Sequence, residues 1–297
     1  MHTANHLWAL VLAAGEGKRV QSLSRDSQGL AVPKQFCSWG TGRSMLRWAV
    51  DRAMAWVPPE RTVVVTAFEH RRWWKPELQE FPEENIIVQP KNRGTAIGIL
   101  LPLLHILQRD PRATVLVFPS DHFVEEEEVL EEAMGKALQE MRWITDSFIL
   151  FGMSPNSADS EYGWIIPSEN SEGPLQSVNL FVEKPNQDLA SALLKKGGLW
   201  NSFMFAAKGN SLLRLYLRNF SELVILLLKE FKNLPLLYED FPTLDFSRDI
   251  LEHNISDLRV FPVPYCGWSD LGTPERLNAY LYRSQENRYV SSAEIQI

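Results

Sequence analysis

Residues Leu7–Ala14 form an unbroken apolar run that stops at Gly15 and Gly17, and Lys18 and Arg19 follow at once. Such a run reads as a strand buried on both faces, the kind found inside a parallel sheet. Glycines at its end let backbone approach a ligand without obstruction from a Cβ, and backbone N–H groups beside two cations suit a polyphosphate. Neither of the best-known phosphate loops is present. A P-loop requires glycine where Leu12 stands and Ser or Thr where Arg19 stands, and the dinucleotide fingerprint requires glycine at Val20. Taken alone, the stretch is also compatible with a buried strand ending in an ordinary turn.

The same strand-then-loop rhythm recurs downstream. A helix is expected from Ser44, as N-cap, to Trp56, before Pro58-Pro59; then a strand over Arg61–Thr66, a Trp-rich helix over Glu69–Glu80, and a strand over Ile86–Gln89. Gln89-Pro-Lys-Asn-Arg-Gly-Thr-Ala96 leads into an apolar helix over Thr95–Gln108, with Thr95 placed to cap it. Thr114–Phe118 is another apolar strand, and it delivers Asp121 to the same sheet edge. Ligands of open α/β sheets bind at that edge, and a carboxylate there suits Mg²⁺, although an Asx turn or a helix cap explains Asp121 as well. The acidic run Glu125–Glu128 reads as the solvated first turn of the next helix.

From Ser147 onward strands follow one another without regular helices: Phe148–Met153, Gly163–Pro167, Leu175–Val182 and Leu199–Phe205, with one helix over Gln187–Lys195. This pattern predicts a mixed sheet with antiparallel members. Helices are expected over Ser211–Lys232, broken near Phe220, and over Phe246–Glu252, with Asp245 as cap. Leu258–Val263 is the last strand, and Asp270 follows between Gly267 and Gly272 as a second candidate metal carboxylate, ahead of a helix from Pro274. Residues 1–283 read as one catalytic domain and 284–297 as a short tail.

Length and composition fit an ordinary soluble α/β protein: 297 residues, 45% hydrophobic and 23% charged. A net charge of −7 argues against a nucleic-acid partner. Cys37 and Cys266 are the only cysteines and make no metal or disulfide framework, which fits a reducing compartment. Met1–His6 carries no Lys or Arg ahead of the apolar run, and the run Ile225–Leu228 is too short to span a bilayer. The expectation is a cytoplasmic enzyme.

The elements LVLAAGEGKR, PKQF, QPKNRGTA, FPSDH, EYGWI, FVEKP, LWNSFMF, DFSRDILE and GWSDLG occur in order along nearly the whole chain. In this it resembles the sugar-1-phosphate nucleotidyltransferases, most closely the mannose-1-phosphate guanylyltransferases. The resemblance implies a Rossmann-like three-layer α/β/α sandwich of glycosyltransferase-A type with a mixed central sheet. It also implies transfer of a nucleotidyl group from a nucleoside triphosphate to a sugar 1-phosphate, with release of pyrophosphate.

On the same resemblance, Arg19 and Lys34 contact the triphosphate and Lys184 the sugar phosphate. Asp121 and Asp270 hold Mg²⁺, while Gly163, Glu183 and Asn201 line the sugar site. Ala13, Ala14, Gly15, Gly17, Gln89, Arg93, Gly94 and Thr95 surround the nucleotide, and the base expected is guanine. Many relatives have Thr-Gly-Tyr-Gly where this chain has Ser160-Glu-Tyr-Gly163, and a glycine where Phe203 stands. A uridylyl- or thymidylyltransferase acting on glucose 1-phosphate, and a non-catalytic nucleotide-sugar-binding regulator, are the rival readings. A homo-oligomer is compatible with all of them.

Overall fold

The computed structural model describes residues 6–26, 28–144, 148–169, 171, 173–229 and 238–283. The expected helix end at Lys232 and the tail 284–297 lie outside the described residues. Strands β1 (Leu7–Ala13), β2 (Thr62–Ala67), β3 (Ile86–Gln89), β4 (Thr114–Pro119), β5 (Phe148–Met153), β6 (Trp164–Pro167), β7 (Gln176–Val182), β8 (Leu199–Lys208) and β9 (Leu258–Val263) form one sheet. Their order is β3-β2-β1-β4-β8-β5-β9-β7-β6. β1 to β4 are mutually parallel, as are β5 and β9, whereas β8 runs antiparallel to both β4 and β5. β7 is antiparallel to β9 and to β6.

Helices cover both faces. They are α1 (Met45–Met54), α2 (Arg71–Glu77), α3 (Gly94–Arg109), α4 (Glu127–Met141), α5 (Gln187–Lys195), α6 (Gly209–Lys229) and α7 (residues 274–283). Because strand side chains alternate, Trp8 and Leu10 of β1 enter the core under α3 and α6, while Ala9 and Val11 enter the core under α1 and α4. Having both faces covered explains why β1, β2 and β4 are continuous apolar runs rather than alternating ones.

Local expectations fare unevenly. Ser44 caps α1 by accepting from the Arg47 N–H at 3.0 Å, and α6 kinks at Phe220 (φ −138°, ψ 40°). Helix α2 is shorter than the expected Glu69–Glu80 and carries Pro76 in its last turn, where the ring removes one intrahelical N–H. Thr95 is not the cap of α3. That helix starts at Gly94, and the Thr95 hydroxyl instead accepts from the Phe246 N–H at 2.8 Å, because residues 244–246 dock there and supply partners to the helix start. The acidic run leads into α4 as expected, with Glu125, Glu126 and Glu128 exposed, and Glu127 in addition makes a bidentate pair, at 2.6 and 2.8 Å, with the buried Arg52 of α1. Phe246–Glu252 contributes a single π-type turn, Ser247–Leu251, whose start Asp245 does cap.

The feature of the fold that matters most for the cleft is a split along β8. Its C-terminal half lies between β4 and β5, while Leu199 and Trp200 pair with β6, so β4 and β6 part along one edge. Opposite the split the register with β5 jumps from Leu150↔Phe205 to Gly152↔Asn201, and the extra β8 residues bulge with Phe203 at φ 60°.

Candidate active site

A cleft of about 310 Å³ opens at the carboxyl ends of β1, β3, β4 and β7, across the split in β8. Of the residues singled out from sequence, Ala14, Gly15, Arg19, Gln89, Gly94, Thr95, Asp121, Gly163, Glu183, Lys184, Asn201 and Asp270 line it. Four others stand behind its wall. Ala13 ends β1, and its carbonyl accepts from the Gln35 side chain, which also holds the Gly15 carbonyl at 2.7 Å. Gly17 (φ 63°) packs on Lys34, whose backbone N would lie 2.8 Å from a Cβ at that position. Lys34 reaches Asp121 and Asp270 from below. Arg93 donates to the carbonyls of Tyr238 and Glu239, so it clamps that turn rather than facing the cleft.

Lys34 joins the Asp121 carboxylate to the backbone of the Asp270 turn. Its ammonium, only 4% exposed, lies 2.8 Å from Oδ2 of Asp121 and donates to the backbone carbonyl of Asp270. Burial pushes the Asp121 pKa up, but the charge of Lys34, the neighbouring His122 and the hydrogen bond from Lys34 together outweigh it, and the net shift is below the usual aspartate value. Asp270 is fixed by the Tyr162 hydroxyl (3.2 Å), the Gly272 N–H (2.8 Å) and Arg276 Nε (3.0 Å). Tyr162 keeps its proton for that bond, since burial and then the charge of Asp270 raise its pKa.

Among the described residues no group of three or more His, Cys, Asp or Glu side chains converges as a protein cage. Two aspartates aimed into an open cleft nevertheless fit a hard cation that completes its shell with water and phosphate oxygens. His122 is held neutral near pH 7, with burial driving its pKa down to about 4, and its ring stands edge-on to Trp268 at 5.4 Å.

The other cations and the acidic end complete the geometry. Arg19 lies 2.9 Å from Glu161 and 3.6 Å from Asp270. Lys184 (φ 48°) follows Glu183, whose carboxyl is pushed up to about 7 by burial, by Asp245 and by Glu252, with Lys184 opposing. Gly163 admits no Cβ, which would meet the Glu183 carboxylate at 2.6 Å and Asn201 at 3.1 Å. Asn201 is spent on the β8 bulge, accepting from the Phe203 N–H at 3.1 Å and donating to Ser247 at 3.3 Å. At the far end Gln89 is fully buried; its Nε2 donates to the Tyr238 hydroxyl at 2.7 Å and its Oε1 has no partner.

Sequence reasoning missed several contributors. Gln35 was visible inside the PKQF element, and Asp245 and Ser247 inside DFSRDILE, yet none was given a place in the cleft that all three line. Arg276, one turn into α7, carries no signal in the sequence for its grip on Asp270.

Two cations, two aspartates and an acidic end line one cleft at the carboxyl edge of a mixed sheet, where enzymes of the α/β class hold their ligands. The chain belongs to the nucleotidyl transferase family, whose profile matches residues 8–286. It is similar to mannose-1-phosphate guanylyltransferase 2 of Escherichia coli O157:H7, 33% identical over 214 residues, 67% of this chain and 43% of the relative. It is also similar to mannose-1-phosphate guanylyltransferase RfbM of Salmonella typhimurium, 33% identical over 209 residues, 69% of this chain and 42% of the relative. A crystal structure titled mannose-1-phosphate geranyltransferase, from Thermus thermophilus, matches with a TM-score of 0.79 at 27% identity, covering 90% of this chain and 76% of that one. The chain thus spans about two fifths of the length of these curated relatives. The fold is the glycosyltransferase-A-like sandwich expected from the sequence, and among the described residues no helix is long and apolar enough to cross a membrane.

Proposed function

We propose that this protein transfers GMP from GTP to mannose 1-phosphate, giving GDP-mannose and pyrophosphate. The observation that carries the reading is the convergence of Arg19, Lys184, Asp121 and Asp270 on one cleft with Glu183 at its acidic end. A phosphate oxygen of the sugar attacks the α-phosphorus of the triphosphate. As that P–O bond forms, the bond from the α-phosphorus to the bridging oxygen breaks, and pyrophosphate leaves with the electron pair. The attacking phosphate is already largely ionised at neutral pH, its second pKa being about 6, so no side-chain base is needed.

The task of the chain is then to bring two polyanions together in line. Arg19 and the Gly15 loop hold the triphosphate, Lys184 holds the sugar phosphate, and Lys34 keeps the Asp121 and Asp270 segments at a fixed spacing. Mg²⁺ on Asp121 and Asp270 would neutralise phosphate charge. Glu183 accepts from sugar hydroxyls.

Gln89 supports the choice of base. With Nε2 committed to Tyr238, its buried Oε1 is left as an acceptor for a base N–H, which guanine presents at N1 and at its exocyclic amine. Uracil and thymine also present one, so the glucose 1-phosphate branch is the second reading this residue allows. The test is turnover efficiency with GTP, ITP, UTP and dTTP against mannose 1-phosphate, repeated in Gln89→Ala. GTP should lead, ITP should follow for want of its exocyclic amine, and the pyrimidines should trail; preference for UTP or dTTP would reassign the substrates.

A further inference from the structure

Two non-glycine residues that line the cleft hold a positive φ, Lys184 at 48° and Phe203 at 60°. For Lys184 the phosphate role gives a reason. For Phe203 the catalytic reading gives none, and a bulky side chain in the left-handed region is strained. The surroundings maintain it: the Phe203 N–H donates to the Asn201 carbonyl oxygen Oδ1 at 3.1 Å, Asn201 is tied to Ser247 at 3.3 Å, and the β8 bulge leaves no regular pairing that would flatten the turn.

The ring is positioned from below. Phe246, fully buried and stacked on Phe205 at 5.3 Å, meets the Phe203 ring edge-to-face at 5.9 Å, while Phe203 itself is only half-buried and borders the cleft. Its neighbourhood is the acidic end. Asn201 touches Gly163, Gly163 lies against the Glu183 carboxylate, and Asp245 is close enough to Glu183 to raise its pKa. An aromatic face beside carboxylates is suited to a pyranose, whose hydroxyls donate to the acids while its C–H face rests on the electron-rich ring. It is poorly suited to a phosphate, which the carboxylates would repel.

We propose that Phe203 is the platform for the pyranose ring of the sugar 1-phosphate and a determinant of which sugar is accepted. The proposal rests on the transferase reading and deepens its sugar subsite.

The experiment compares Phe203→Asn, which tolerates a left-handed φ but has no aromatic face, with Phe203→Tyr, which keeps the face. Steady-state kinetics with GTP and mannose 1-phosphate, and separately with glucose 1-phosphate, are measured alongside the thermal midpoint. In Phe203→Asn the KM for mannose 1-phosphate should rise about tenfold and the preference for mannose over glucose should shrink, with the KM for GTP changed less than about twofold. Phe203→Tyr should restore both values, and the midpoint of the Asn variant should stay close to that of the parent. An unchanged sugar-phosphate KM, equal rises in both KM values, or a Tyr variant that behaves like Asn would overturn the proposal. An unmodified protein that turns over neither sugar phosphate would overturn the transferase reading instead.

Discussion

The ammonium of Lys34 lies 2.8 Å from Oδ2 of Asp121, and the same nitrogen donates to the backbone carbonyl of Asp270, 236 residues away in sequence. One buried cation therefore ties the Asp121 carboxylate to the backbone of the Asp270 turn.

Replacing Lys34 with Met keeps most of the packed stem but leaves Asp121 without its cation. The expected cost is on the order of 2 kcal/mol, moderated because Asp121 is partly open to solvent. The sign with pH follows from the depressed Asp121 pKa. Its stabilisation is present above the ordinary aspartate value of about 3.9 and is lost as pH falls through the lower folded-state pKa. Urea unfolding of parent and variant should thus differ most at neutral pH and converge in acid; a difference independent of pH would contradict the pairing.

Asp121→Asn and Asp270→Asn each preserve size while removing a charge. Turnover should fall on the order of 10²-fold or more in each, and the Mg²⁺ concentration for half-maximal rate should rise. Circular dichroism should show the fold intact. Mg²⁺ dependence identical to the parent in both variants would remove these residues from the metal.

Arg19 is engaged by Glu161 at 2.9 Å, both side chains being half exposed, so a triphosphate must draw it away. Exposed pairs are worth about 0.2–1 kcal/mol, which limits the gain from releasing it. Glu161→Gln should lower the KM for GTP by roughly two- to fivefold, with kcat nearly unchanged. A higher KM would show that Glu161 positions Arg19 rather than competing for it.

Glu183, pushed up to about 7 by burial and by its acidic neighbours, is partly protonated at neutral pH. Only the ionised form accepts at both oxygens, so kcat/KM for mannose 1-phosphate should rise with pH through an apparent pKa near 7. The phosphate of the substrate titrates too, about one unit lower. In Glu183→Gln the step near 7 should vanish while the phosphate step remains; the same raised pKa makes the free protein less stable as pH rises from the ordinary glutamate value toward 7.

Much of this architecture was legible in the chain because its signals are local. Buried parallel strands such as β1 and β4 must be apolar throughout, and the residues directly after them, Gly15 and Asp121, fall at the ligand edge by topology alone. The contacts that escaped are the long-range ones. The partners of Thr95 and Arg93 come from residues 238–246, and no spacing within the 89–96 loop could announce that a distant segment would dock there. The strain at Phe203 arises from a bulge between β5 and β8, which exists only once the strands pair. Arg276 is likewise an unremarkable helical arginine until Asp270 folds against it.

A cleft that joins a nucleotide to a sugar phosphate must move the α-phosphorus of GTP with loss of pyrophosphate. The direct measurement is the fate of label from GTP carrying radioactive phosphorus at its α-position, incubated with mannose 1-phosphate and Mg²⁺. Label should appear in a GDP-sugar, with one pyrophosphate released per molecule formed. Binding of GTP or GDP-mannose without label transfer or pyrophosphate release would contradict it and make the protein a nucleotide-sugar-binding regulator.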